Sequence, residues 1–384
     1  MAIDKIRIYL DNVSLFKERL FQESYKENWL FERNKDNNFL SYFYKDINDL
    51  FIKYMPIHKD DALYIDFNPA FLLRNDNTTS IYSCNIQQIY NIIREKLKGT
   101  LDISVVPNLR YWKVSYYENN INIIRYMDEI KALYKVISKL ENIGKLKKEI
   151  IEDGGTIYFF NGKSRAESDF IIKIYFKLRQ ISNKNPERQI DDYYDSDLVC
   201  LKAGQDILRI EVSLKRDRIY KLFKPIVTKF TSDGKATEIE IEPSSRPVAI
   251  LEEVFDFNSQ VNIMNKVLKL LHLDKTMTTK IKLFSVINGS SLSKNEKHTA
   301  KVVLNYLNKV PHIKVPAEST ISKYKRWILS KGYHYIYADV EIKPISIDDI
   351  IKQLPKKQQD CIKVYRNSNI YYDLWSSYMP TRIY

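Results

Sequence analysis

Cysteine is scarce in this chain of 384 residues: only Cys84, Cys200 and Cys361 occur, far apart and without paired spacing. That argues against both a disulfide framework and a zinc site. The five histidines, His58, His272, His298, His312 and His334, are equally scattered, and neither a His-x-x-x-His nor a His-hydrophobic-His pair is present. A metal, if used, must therefore sit mostly on carboxylates, which suits Mg²⁺ or Mn²⁺. Long apolar runs are also missing. Residues 65–73 and 267–273 are interrupted by polar side chains and fall short of the roughly 20 apolar residues that span a bilayer. The N-terminus enters a period-two alternation in place of a signal peptide's apolar stretch, so export is not expected and the cytoplasm of a bacterial host is. Gly162-Lys163-Ser164 ends like a Walker loop but lacks the upstream glycine, so ATP hydrolysis is not expected.

Positive charge, by contrast, is abundant. Sixty-one Lys and Arg face 48 Asp and Glu, leaving a net charge of +13. Such a balance favours a polyanionic partner, because neutralised phosphates release counterions. The hydrophobic fraction of 44% suits a globular chain long enough for two domains. Tyrosine occurs 28 times, an abundance consistent with an AT-rich genome, so most of these residues must be structural.

The pattern along the chain predicts an α+β domain over residues 1–240. Residues 6–10 and 63–67 alternate as strands, 13–21 and 86–97 carry apolar residues at helical spacing, and Asn75-Asp76-Asn77 signals a turn. Residues 111–123 read as a strand and 124–150 as one long helix, broken at Gly154-Gly155. A hairpin follows, 156–160 and 170–177 around a polar loop, with 207–214 as a third nearby strand. Several antiparallel strands interleaved with helices imply a sheet with helices against one face. Residues 238–247 read as an edge strand running into a linker at Pro243 and Pro247.

Residues 250–345 read as a mostly helical, winged-helix-like DNA-binding domain. Ser293 and Glu296 form a capping box ahead of an amphipathic helix to residue 307. A second helix, 319–330, carries Lys323, Lys325 and Arg326 between its apolar positions, with Lys331 and Gly332 just past its end. Residues 333–342 alternate like the strand or wing of a winged helix-turn-helix; the alternative is a helical hairpin with a solvated basic face. The pattern leaves open the role of the tail, 346–384, with Lys356-Lys357 and Tyr371-Tyr372.

Tyr175 and Lys177 lie two residues apart on a strand and share a sheet face. Glu211 lies between Ile210 and Val212 and faces away from them, so it is either a carboxylate turned to chemistry or, with Arg209, half of an ordinary solvated ion pair.

Four segments, in order, resemble the phage and plasmid replication proteins of the gene II/X type. Phe67-Asn68-Pro69-Ala70-Phe71-Leu72-Leu73-Arg74-Asn75-Asp76-Asn77 resembles that family's G-S-L-P-K-y-L-x-G-x-N segment. Trp112-Lys113-Val114-Ser115-Tyr116-Tyr117-Glu118-Asn119-Asn120-Ile121-Asn122-Ile123 looks like its W-x-V-S-R-I-D-x-x-x-N-[IF] strand. Thr156-Ile157-Tyr158-Phe159 followed by Lys173-Ile174-Tyr175-Phe176-Lys177 is similar to T-x-Y-F with K-I-Y-[DN]-K, and Leu208-Arg209-Ile210-Glu211-Val212 to L-R-[IF]-E-V. The resemblance spans roughly residues 3–220 at low identity.

The resemblance implies an HUH-like tyrosine endonuclease that initiates rolling-circle replication. Tyr175 would be the nucleophile, Lys177 the phosphate support, and Glu118 and Glu211 the ligands of Mg²⁺ or Mn²⁺. A phenol of pKa near 10 is a poor nucleophile at neutral pH, so it needs a cation or base beside it and a divalent ion to polarise the phosphate. Expected DNA contacts are Arg209, Lys323, Lys325, Arg326 and Lys331; expected partners are origin DNA, a host helicase and polymerase, and a second copy in a homodimer. The chain departs from the family at Tyr116 for Arg, Glu118 for Asp, and Phe176 for Asp or Asn. The rival readings are a mobilisation relaxase, a non-catalytic sequence-specific DNA-binding regulator and a packaging protein that binds without sequence preference.

Overall fold

The computed structural model describes residues 2–21, 30–33, 40–45, 50–55, 61–74, 86–98, 100–151, 155–184, 202–215, 218–219, 226–230, 236–240, 249–354, 356 and 359. In chain order the strands are β1 (Ala2–Asp11), β2 (Leu30–Arg33), β3 (Leu40–Lys45), β4 (Phe51–Met55), β5 (Ala62–Phe67), β6 (Lys113–Tyr126), β7 (Lys147–Ile151), β8 (Thr156–Phe160), β9 (Phe170–Phe176), β10 (Gln205–Lys215), β11 (Ile226–Phe230) and β12 (Ala236–Glu240). The helices are α1 (Lys17–Leu20), α2 (Pro69–Arg74), α3 (Ile86–Lys96), α4 (Met127–Lys139), α5 (Lys177–Lys184), α6 (Leu251–Phe255), α7 (Phe257–Leu270), α8 (Lys280–Asn288), α9 (Lys294–Leu307), α10 (Glu318–Ser330) and α11 (Ile347–Lys352). The mixed α+β class expected from the sequence is present.

Among the described residues, ten strands form one sheet in the order β2-β3-β4-β5-β1-β6-β10-β9-β8-β7, and β11 and β12 form a separate pair. Every pairing between these strands is antiparallel. Side chains alternate between faces along a strand, so register assigns each residue a side. Ile6, Tyr117, Ile121, Ile210, Val212, Ile172 and Ile174 lie on one face and are fully buried. Helix α4 covers that face, with Tyr134 packed on Phe176 at 4.8 Å between ring centroids. The apolar core continues without a break into α6 to α11, through Leu251, Met264, Leu283, Val303, Ile328 and Ile350. Backbone hydrogen bonds from Leu251 N to Trp112 O and from Val114 N to Ala249 O join the C-terminal helices to β6.

Several expected elements appear with shifted bounds, and two differ in kind. The long helix expected over 124–150 is three elements: β6 runs on to Tyr126, α4 ends at Lys139, and β7 begins at Lys147 after a turn at Gly144, whose φ is +59°. The ladder with β8, Lys147↔Phe160 to Ile151↔Thr156, closes a hairpin of consecutive strands, and that pairing outweighs the helical spacing. Residues 333–342 form bends and irregular backbone with two isolated bridges, Thr276↔Tyr333 and Met277↔Ile342, and no regular wing strand. The side chain of Asn308 takes up the backbone there, donating to Tyr335 O at 3.0 Å and accepting from Tyr337 N at 2.7 Å. Those groups are thereby withdrawn from any ladder. The turn at 75–77, the linker at 241–248, the three cysteines, His58, Lys357 and Tyr371-Tyr372 lie outside the described residues. No helix among the described residues is long and apolar enough to cross a membrane.

Candidate active site on the polar face of the sheet

The other face of the central strands is polar yet mostly buried. Tyr116, Glu118, Asn120 and Asn122 alternate on β6, and their partners on β10 are Lys215, Ser213, Glu211 and Arg209. Beyond β10, Arg209 pairs with Tyr175 and Glu211 with Lys173. A bulge between Ile3 and Lys5 adds one residue to β1, which is how Asp4 comes to share this face with Lys5. Bulges re-aim side chains in this way.

At the centre, Tyr175, 3% exposed, donates its phenolic hydrogen to Glu211 Oε1. Lys173 Nζ lies 2.9 Å from Glu211 Oε2 and 4.3 Å from the centroid of the Tyr175 ring. Arg209 is fully buried. Its Nη1 reaches Asp4 Oδ2 at 3.1 Å and Glu211 Oε1 at 3.8 Å, and its Nε donates to Asn122 Oδ1 at 2.8 Å. Ser213 Oγ donates to Glu118 Oε1 at 2.9 Å. Lys177, 4% exposed at the first position of α5, has Nζ 3.4 Å from Gln180 Oε1. Asn120, opposite Glu211, is fully buried, and neither of its amide atoms has a hydrogen-bond partner among the described residues.

Burial sets the protonation states. Desolvation, with Glu211 adding negative charge, pushes the Asp4 carboxyl up to about 7 despite Arg209. Burial and Glu211 raise Glu118, with Ser213 opposing. Glu211 goes the other way: burial alone would raise it, but Lys173, Arg209 and the Tyr175 hydroxyl together hold it below the usual carboxylate range. Burial and the neighbouring Arg209 bring Lys177 down to about 7. The Tyr175 phenol is held above its ordinary value by burial and by Glu211, against the pull of Arg209.

No protein-family model, curated protein or solved structure matches this chain.

The structure brings Tyr175, Lys177, Arg209, Glu211 and Glu118 onto one face. Arg209 sits fully buried inside the cluster, where its guanidinium holds Asp4 and Asn122. The other cations expected to touch DNA lie on or beside α10. Lys323 pairs with Glu296 at 3.1 Å, Lys325 lies over the Tyr335 ring at 4.4 Å, Lys331 lies over Trp327 at 5.7 Å, and Arg326 Nε donates to Ser322 O at 3.2 Å. Sequence reasoning missed Asp4, Asn120, Asn122, Lys173 and Ser213. Lys173 was readable from the alternation Lys173, Tyr175, Lys177, and the asparagines from their two-residue step after Glu118. Asp4 was not readable, because its placement depends on the bulge.

The chemistry of the face suits a divalent ion bound partly by its substrate. Among the described residues no group of three or more His, Cys, Asp or Glu converges as a ready metal cage. Mg²⁺, however, is commonly held by one or two carboxylates together with substrate phosphates. Glu118 and Glu211 are diagonal neighbours across β6 and β10, and the unpartnered carboxamide of Asn120 lies beside them. These are hard oxygen donors, and burial, with Glu211 adding to it, raises the carboxyls of Asp4 and Glu118.

Proposed function

We propose that this chain initiates rolling-circle replication by nicking one DNA strand with Tyr175. The observation that carries the reading is a strand tyrosine bonded to a buried carboxylate, Glu211, within a cluster of Lys173, Lys177 and Arg209. Tyr175 Oη attacks the scissile phosphorus, the bond from phosphorus to the 3′ oxygen breaks, and a 5′-phosphotyrosine forms. The departing 3′ oxygen takes up a proton and primes synthesis; the phenol proton leaves through Glu211, its hydrogen-bond acceptor. Lys177 and Lys173 steady the phosphate, Arg209 fixes the position of Glu211, and reversal of the step rejoins the strand. Glu118, Glu211 and Asn120 would hold Mg²⁺ or Mn²⁺, whose contribution is to polarise the phosphate. Recognition of the origin falls to the C-terminal helices, and a host helicase and polymerase follow. A mobilisation relaxase would use the same residues.

A specific observation favours a second reading, a non-catalytic DNA-binding regulator: in the free chain the Tyr175 phenol is held above its ordinary pKa, which opposes attack. The test incubates the full chain and Tyr175→Phe with single-stranded oligonucleotides tiled from its own replicon and Mn²⁺ or Mg²⁺, followed by a denaturing gel. A metal-dependent covalent adduct that disappears in Tyr175→Phe is the expected result. Duplex binding without an adduct on any tile selects the regulator.

A further inference from the structure

The polar face does not end at the tyrosine cluster. Across β4, β5, β1 and β6 the register sets Lys53, Tyr64, Tyr9 and Lys113 in one row, each directly opposite the next. The central pair stacks, with ring centroids 5.4 Å apart and planes inclined by 21°, and both rings are only partly buried. Lys113 Nζ, which also pairs with Asp11, lies 5.9 Å from the Tyr9 centroid. The adjoining row holds Arg7 and Tyr116. Asp66 grips Arg7 through Nε and Nη2, at 2.5 and 2.7 Å, and 46% of the arginine side chain stays exposed. Tyr116 leads on to Glu118 and from there to Glu211 and Tyr175.

We propose that the row Lys53-Tyr64-Tyr9-Lys113 is a base-stacking subsite for the single strand whose phosphate lies at Tyr175, a proposal that rests on the nicking reading above. An aromatic pair flanked by ammonium groups offers ring surface to bases and charge to the phosphates on either side. From Lys113 to Asn122, which is level with Tyr175, β6 advances nine residues, one of them taken up by a bulge; about eight rises of 3.3 Å and about three strand spacings of 4.8 Å put the row about 30 Å from Tyr175. That span matches a footprint of several nucleotides, the usual size for single-strand binding surfaces. The occupant is single-stranded because a duplex keeps its bases stacked on one another, with no free face for a tyrosine ring.

The test measures fluorescence anisotropy of a labelled thymidine oligonucleotide of about 20 nucleotides and of its abasic counterpart, each titrated with the full chain. Tyr9→Leu and Tyr64→Leu each weaken binding of the thymidine strand about 5- to 100-fold. Tyr9→Phe and Tyr64→Phe bind like the parent, and every variant binds the abasic strand equally. Leucine variants that bind thymidine normally, or lose the abasic strand to the same degree, overturn the subsite. Photocrosslinking of a bromodeoxyuridine strand to the unaltered chain covers the case in which a leucine variant fails to fold: crosslinks on the peptides holding Tyr9 or Tyr64 support the subsite, and their absence counts against it. Base-dependent binding without a covalent adduct would sink nicking and leave stacking standing; an adduct without base dependence would do the reverse.

Discussion

An ammonium placed beside a buried guanidinium and at the first turn of a helix has two reasons to lose its proton, since both neighbours present positive charge. Lys177 is in that position: burial and Arg209 bring it down to about 7 from 10.5, while Asp4 and Glu211 only partly compensate. Because its folded pKa lies below its unfolded value, the stability it contributes is present above pH 10.5 and is lost as pH falls through about 7. Lys177→Met removes a poorly compensated buried charge, and such replacements commonly stabilise by about 1–4 kcal/mol. The expected outcome, read by denaturant unfolding over a pH series, is a gain that is largest below pH 7 and shrinks as the pH approaches 10.5. A gain that does not vary with pH would show that the amine keeps its ordinary pKa in the folded chain. If Lys177 supports the phosphate as proposed, the same variant should also lose the covalent adduct.

At the scale of elements, the loop between β8 and β9 fixes where Lys173 and Tyr175 fall in the register, and it closes on itself. Gly162 N donates to Ser168 Oγ at 2.8 Å, Ser168 Oγ donates to Ser164 O at 2.7 Å, and Phe170 N donates to Asn161 Oδ1 at 3.2 Å. A Cβ at residue 162 would lie 2.7 Å from Ser168 Oγ, 2.9 Å from Ser168 N and 3.0 Å from Glu167 C, two of them backbone atoms that cannot swing away. Gly162→Ala should therefore cost about 1–3 kcal/mol, seen as a lowered melting temperature; an unchanged melting curve would mean that the loop re-forms without strain. This glycine belongs to the tripeptide that mimics the end of a Walker loop, and its role here is room for a turn. Elements governed by neighbours in sequence were legible: the capping box at Ser293 and Glu296 has both of its hydrogen bonds, and the hairpin of β8 and β9 follows its alternation. Elements decided by distant contacts were not. No wing forms after α10 because Asn308, 27 residues before Tyr335, engages that backbone; β7 was hidden for a different reason, since its local hairpin with β8 lies in a stretch whose apolar spacing also suits a helix. The candidate site divides in the same way. Tyr175 and Glu211 follow from period two; Lys177 does not, since the strand ends at Phe176 and Lys177 opens α5, and the burial of Arg209 and the approach of Asp4 depend on a bulge and on strands far apart in the chain.

For the whole molecule, the net charge of +13 matters only where cations remain available to phosphate, and the structure separates them. Lys325 covers the Tyr335 ring, which stacks on buried His334 at 4.8 Å, and burial lowers its pKa. It is part of the packing of the C-terminal helices. Arg326 and Lys331 are exposed at the end of α10, on a helix tied to the sheet by the continuous core through Ile328, Met264 and β6. If α10 carries the duplex contact, each of these two cations should release about one counterion on binding. Arg326→Ala and Lys331→Ala should then each flatten the dependence of log affinity on log salt by about 0.9, with duplex binding weakened evenly across sequences. Lys325→Ala should leave that slope alone and lower the melting temperature, because it removes a methylene stem from an aromatic surface. The opposite result, a slope that responds to Lys325 and ignores Arg326 and Lys331, would move the duplex away from this helix. The polar face of the sheet would then be the remaining candidate, and the stacking row and the tyrosine cluster would form one continuous nucleic-acid surface.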